Sequence, residues 1–183
     1  KVQTDVAQLS QDDPQAREKA LAQLHAGIDR ASRLVDQLLT LSRLDSLDNL
    51  DDVEPITLAD LLQSAVLDIW HPAQQAGIDI RLINHAPQVK RQGQPLLLSL
   101  LVRNLLDNAI RYSPRGSVVD VTLDARSFSV RDNGPGVYPE VLARIGERFY
   151  RPPGQNATGS GLGLSIVRRI AALHGMRVSL SNA

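Results

Sequence analysis

The chain contains no cysteine, which removes disulfides, thiolate catalysis and cysteine-ligated zinc. Aromatic residues are nearly as scarce: one Trp, three Tyr and two Phe in 183 residues. That is too few for the stacking platforms that grip single-stranded nucleic acid. Long apolar runs are missing too. The stretch "PLLLSLLV" near residues 95–102 falls far short of the roughly 20 residues that span a bilayer. No signal peptide is visible, and the chain opens on Lys1. It therefore reads as a piece of a longer protein. Net charge is zero, with 20 Lys and Arg against 20 Asp and Glu, so no nucleic-acid partner is expected.

The neutrality is unevenly distributed. Residues 1–54 hold 6 basic and 11 acidic residues, and the remainder hold 14 and 9. An acidic part followed by a mildly basic one suggests two units with different tasks. Apolar residues make up 43% of the chain, enough for a core.

Val2, Val6 and Leu9 share one helical face, and "SQDDPQ" breaks it. Asp13 followed by Pro14 is a strong helix start, with Asp as N-cap and Pro in the first turn. Leu21, Leu24, Ile28, Ala31, Val35 and Leu38 then step by three and four, which predicts a helix to about Leu44 with a heptad-like seam. Residues 1–46 read as a helical hairpin, half of a dimeric four-helix bundle. The polar, acidic stretch at 47–56 reads as a linker.

Residues 57–183 read as an α+β domain, a two-layer α/β sandwich. Thr57 opens a helix with Asp60 at the capping-box position, and Gly77 stops it. "IDIRLI" (78–83) alternates as a strand, with Val89 near another. "QPLLLSLLVRNLLDNAIRYS" is a second helix. "SVVDVTLDA" and "SFSVRDNG" are strands. "YPEVLARIGERFY" is a short helix. "LGLSIVRRIAALHG" is an amphipathic helix closed by Gly175, and "MRVSL" is a last strand.

The leucine-rich helix carries two asparagines one turn apart on one face, Asn104 and Asn108. Asn is a poor helix former, so both amides need partners. One possibility is that they satisfy nearby backbone groups. The other is that Asn108 offers a neutral oxygen to a Mg²⁺ whose charge is balanced by phosphates, with Asn104 holding a water or a phosphate oxygen. Arg111 could then reach a phosphate and Tyr112 a base. "DNGPG" (132–136) is a tight turn after a strand. There Asp132 could accept from an amino group such as adenine's, while Gly134 and Gly136 admit a ligand to the backbone. In "TGSGLGLS" (158–165), Gly159, Gly161 and Gly163 precede a helix whose N-terminus attracts anions. Neither a dinucleotide fingerprint nor a Walker loop fits these glycines. In "ERFYR" (147–151), Phe149 and Tyr150 could anchor a loop on the core. Arg148 and Arg151 face either phosphates or solvent.

Taken singly these signals are weak; in this order, within about sixty residues, they are specific. The chain resembles the cytoplasmic region of bacterial sensor histidine kinases, whose N, G1, F and G2 boxes match in sequence order. The hairpin, with "DRASRLVDQLLTLSRLDS", looks like the second helix of their dimerisation and phosphotransfer domain. The fold implied is that of the ATPases shared with gyrase, Hsp90 and MutL. Carried over by position, the resemblance implies Mg²⁺ at Asn108 with Asn104 beside it, phosphate at Arg111, an adenine-packing Tyr112 and an adenine-specifying Asp132. It implies an ATP lid from Arg148 through Arg151 and Thr158 to Ser160. Gly159, Gly161, Leu162 and Gly163 would border the phosphates. The implied partners are a second copy of the chain and a response-regulator receiver domain, with the membrane reached only through upstream segments. The implied location is the cytoplasmic portion of an inner-membrane protein.

Two departures qualify this. His25, His71, His85 and His174 lack the acidic neighbour of the family's acceptor histidine, so the acceptor is expected upstream and self-phosphorylation by this chain alone is not expected. The family also continues with a further strand, expected beyond Ala183. Three readings remain open: a phosphoryl-transfer module, an ATP-driven clamp or hydrolase of the same superfamily, and a nucleotide-binding scaffold. Gyrase-like hydrolases place a Glu where this chain has Asn104, which lacks the basicity to activate water.

Overall fold

The computed structural model describes residues 14–152 and 159–182. Two compact units divide the chain, residues 1–40 and 41–183. The expected first hairpin helix and the Asp13 cap lie outside the described residues. Helix α1 (Pro14–Asp45) matches the expected second helix. Its Leu21, Ile28, Val35, Leu38 and Leu39 are between 39% and 65% exposed, so none of the described residues covers this apolar seam fully.

In the second unit the acidic stretch ends in strand β1 (Glu54–Thr57), which pairs antiparallel with β3 (Lys90–Gly93). Helix α2 (Leu58–Ala76) starts at Thr57, but the expected capping box is not formed: the Thr57 side chain makes no cap bond. The Leu58 N–H donates instead to the Val89 carbonyl at 3.0 Å, because the chain arrives along β3 and finds a backbone acceptor there. Gly77 ends α2 as expected, at φ 71° with its N–H on Gln74 O.

Strand β4 (Val118–Leu123) is the middle of a three-stranded sheet, parallel to β2 (Asp79–Asn84) and antiparallel to β5 (Phe128–Arg131). Val119, Val121 and Leu123 are fully buried, as strand alternation requires. On the other face Arg81 meets its register partner Asp120 through bonds of 2.7 and 3.0 Å. This partner holds the Asp120 carboxyl below the usual carboxylate range. Helix α2 packs on β2 and β4, and α3 (Pro95–Tyr112) packs on α2 and β5. Helix α5 (Gly163–Leu173) packs on α3.

Two expected elements differ. The short helix α4 covers only Pro139–Arg144, because the chain leaves helical geometry at Ile145 (ψ 125°), and Gly146 follows at φ 97°. Residues 176–180 form no strand: they pair with none of the described strands.

His174 has a structural task. Its Nε2 accepts from the Gln94 N–H at 3.0 Å and its Nδ1 lies 2.8 Å from Ile170 O. Both bonds form only with the proton on Nδ1, since the amide can only donate and the carbonyl only accept. Gln94 caps α3 through a bond from the Leu97 N–H at 2.8 Å, so one imidazole ties the end of α5 to the start of α3. His174→Ala is expected to lower unfolding stability by about 1–3 kcal/mol, the cost of stranding the Gln94 N–H. A urea titration measures it, and an unchanged midpoint would show that water replaces the ring.

Candidate functional site

Helix α3 is the spine of the site. Leu98, Leu101, Val102, Leu106 and Ala109 bury its core face, and Asn104 stands at the edge of that face, 8% exposed. Its Nδ2 donates to Leu100 O one turn back, at 2.8 Å. The Oδ1 then faces Gly163: a Cβ there would stand 3.1 Å from it. The same point lies 3.6 and 3.7 Å from the two amide atoms of Asn108. Asn108 is half-buried, and its amide forms no hydrogen bond with the described residues. Both asparagines thus converge on the first residue of α5, a helix start that no side chain caps.

The glycines of the preceding hinge sit at close approaches. A Cβ on Gly159 would stand 2.7 Å from Arg111 Nη1, which brings Arg111 to the hinge. Gly161, at φ 74°, lies against the backbone of Phe149 and accepts its N–H at 3.2 Å. Ser160 Oγ accepts from the Leu162 N–H at 3.1 Å, and Leu162 is fully buried, so the hinge is pinned to the core there.

Asp132 follows β5 directly, and its Oδ1 accepts from the Gly134 N–H at 2.8 Å. Oδ2 has no partner among the described residues. Gly134 sits against the end of α3: a Cβ there would lie 3.0 Å from Tyr112 O. Gly136, at φ 66°, abuts Asn182. The acidic turn therefore meets α3 at Tyr112, and the amides meet α5 two turns earlier. Asn104 and Tyr112 are eight positions apart, about 12 Å of helix axis, on the order of the reach from a base to its terminal phosphate.

Other residues fall differently. The Arg148 guanidinium lies 2.8 Å from the Asp45 carboxylate and does not face the amides. Phe149 is not an anchor on the core: it is 57% exposed at φ 63°, and its backbone N–H holds the loop instead. Tyr150 lies under the Arg144 guanidinium, 4.1 Å from ring centre to carbon. Arg151 is exposed. Thr158 lies outside the described residues, as does the rest of 153–158 in the expected lid.

Sequence reasoning missed three participants. Asp45 pairs with Arg148. Arg169 of α5 donates to Leu44 O at 3.0 Å and Leu47 O at 2.7 Å, closing the end of α1. Asn182 bonds Val137. All three contacts span long sequence distances and have no local signature.

Among the described residues no three His, Asp or Glu side chains gather to hold a metal. A metal at this site would rest on one or two amide oxygens and on ligand phosphates, the donor set that suits Mg²⁺. Asn104 Oδ1 and the unpartnered Asn108 amide, beside the space kept open by Gly163, fit that requirement.

Comparison with known proteins identifies the family. Residues 93–183 match the family described as histidine kinase-, DNA gyrase B-, and HSP90-like ATPase. Sensor protein QseC of Escherichia coli (strain K12) is 79% identical over all 183 residues, which span 41% of its length. The solved cytoplasmic segment of histidine kinase QseC is 63% identical, with a TM-score of 0.61, covering 85% of this chain and 86% of that one. Full-length ShkA in complex with AMPPNP is 28% identical, with a TM-score of 0.71, covering 88% of this chain and 34% of that one.

Proposed function

Since this chain belongs to the sensor histidine kinases and carries their ATPase domain, we propose that it binds Mg·ATP for a two-component signalling kinase. The γ-phosphoryl group passes from ATP to a histidine nitrogen, with release of ADP, and then to an aspartate of a response-regulator receiver domain. The reading is supported above all by the convergence of Asn104, Asn108 and Arg111 of α3 on the hinge glycines Gly159 and Gly163. The related ShkA was solved in complex with AMPPNP, which is consistent with nucleotide binding by this chain.

Each residue has a part. Asp132 Oδ2 accepts from the adenine amino group, Gly134 and Gly136 leave room for the base, and Tyr112 packs on it. Arg111 takes a phosphate, and the backbone of Gly159, Ser160, Gly161, Leu162 and Gly163 lines the phosphates at the start of α5. Asn108 would hold Mg²⁺ with Asn104 beside it. The bound ion supplies neutralisation of phosphate charge. Arg148 and Arg151 take phosphate oxygens, and Arg148 must leave Asp45 to do so. None of the four histidines is assigned as the acceptor. Catalysis here is positioning and charge neutralisation, and no residue of this chain acts as a base. The exposed seam of α1 pairs with a second copy to form a homodimer. The chain lies on the cytoplasmic side of a membrane reached through other segments. No helix of the described residues is long and apolar enough to cross it.

The full-length protein incubated with γ-labelled ATP tests this. Acid-labile label on the protein is expected. Free phosphate without labelled protein would move the assignment to a hydrolase, and neither product to a scaffold. In this chain, Asn108→Ala is expected to remove the Mg²⁺ dependence of ATP binding, read by calorimetry with and without a chelator. A retained dependence would assign the ion to another ligand.

A further inference from the structure

Residues 132–137 form the turn that carries Asp132. One end is secured, since Arg131 pairs with Asp120 of β4. The other end leads into α4, which buries none of its residues. Tyr138, between them, is 78% exposed. The core therefore offers that end no grip. Asn182 supplies one from the segment after α5: its Oδ1 accepts from the Val137 N–H at 3.0 Å, and its Nδ2 donates to Val137 O at 2.8 Å. Among the described residues, these are the long-range hydrogen bonds that reach residues 133–138.

Two bonds to both polar groups of one residue fix orientation as well as distance, as a neighbouring strand would. The same Oδ1 lies 3.1 Å from where a Cβ on Gly136 would stand, so the carboxamide also packs on the turn. The turn thus abuts Tyr112 O near Gly134 and is hydrogen-bonded by Asn182 beyond Gly136.

We propose that Asn182 is a positioning residue for base recognition: it holds the 132–137 turn so that the Asp132 carboxylate meets the 6-amino group of adenine. This rests on the nucleotide reading of the site. A misaligned carboxylate loses a bond to adenine. Guanine carries a 6-oxo group that the carboxylate repels, so it loses nothing. The signature of positioning is therefore lost selectivity, which a general loosening would not produce.

The test measures ADP and GDP affinities by calorimetry for the 183-residue chain and for Asn182→Ala, Asn182→Asp and Asp132→Asn. Asn182→Ala is expected to weaken ADP about three- to tenfold, to leave GDP unchanged, and to keep the urea unfolding midpoint. Asn182→Asp retains only the acceptor and should fall between. Parental ADP affinity in Asn182→Ala, alongside a loss in Asp132→Asn, would overturn the role of Asn182 and spare the site. Equal losses for ADP and GDP in Asn182→Ala would reduce Asn182 to general support and overturn positioning. Indifference of both variants would overturn the site reading and this inference with it.

Discussion

Asp132→Asn is expected to lower the affinity for ADP by about 10- to 100-fold. The two Asp132 oxygens differ: Oδ1 accepts from the Gly134 N–H at 2.8 Å, and Oδ2, which has no partner among the described residues, is the proposed acceptor for adenine. Asparagine preserves the first duty, since its oxygen can still take the Gly134 N–H. Its NH₂ then stands where Oδ2 was, donor against donor with the adenine amino group. A hydrogen bond to a charged group contributes about 1.5–3 kcal/mol, which converts to the stated loss. Turning the amide over does not help, because it sets the NH₂ against the Gly134 N–H. The turn keeps its internal bond, so the urea midpoint should stay near that of the parent chain. Calorimetry with ADP decides the matter, and unchanged affinity would remove Asp132 from base recognition.

The contrast between Asp132 and Arg148 shows what the sequence makes legible. The turn around Asp132 is local: "DNGPG" follows an alternating strand, and the bond from Gly134 to Asp132 spans two residues. Likewise, the buried face of α3 follows from leucine spacing, β4 alternates as written, and Gly77 and Gly175 stop their helices at positive φ. The asparagine pair was readable as a pair, and its convergence on Gly163 agrees with the hinge as a close approach. Arg148 had equal local claims on phosphate and solvent, and its partner Asp45 lies 103 positions away, where no local pattern reaches. Thr57 carried the right residue type for a capping box, yet tertiary context supplied Val89 O first. Residues 176–180 had strand composition but pair with no described strand, and strand composition means little until pairing supplies hydrogen bonds.

Gly161→Ala is expected to weaken ATP binding more than tenfold while the chain still folds. Alanine at φ 74° carries a conformational cost of about 1–2 kcal/mol. At this position that is the smaller part. The new Cβ would stand 2.8 Å from Phe149 C, 2.9 Å from Phe149 Cα and 3.0 Å from Tyr150 O. All three are backbone atoms, which cannot rotate aside as a side chain would. Phe149 has little freedom to yield, being itself at φ 63° with its N–H on Gly161 O. Residue 161 must therefore move, and Gly163, two positions on, moves with it. The Asn104 oxygen lies 3.1 Å from where a Cβ on Gly163 would stand, so α5 begins beside it. A shift of a few tenths of an ångström misplaces the start of α5 relative to Asn104, Asn108 and Arg111 together. Gly116→Ala is the control: its φ is 84° and nothing lies within 4 Å of its Cβ position, so only the conformational cost applies. It should lower stability modestly and leave ATP affinity alone. If the two variants bind ATP equally well, the close approach at Gly161 does not shape the phosphate site.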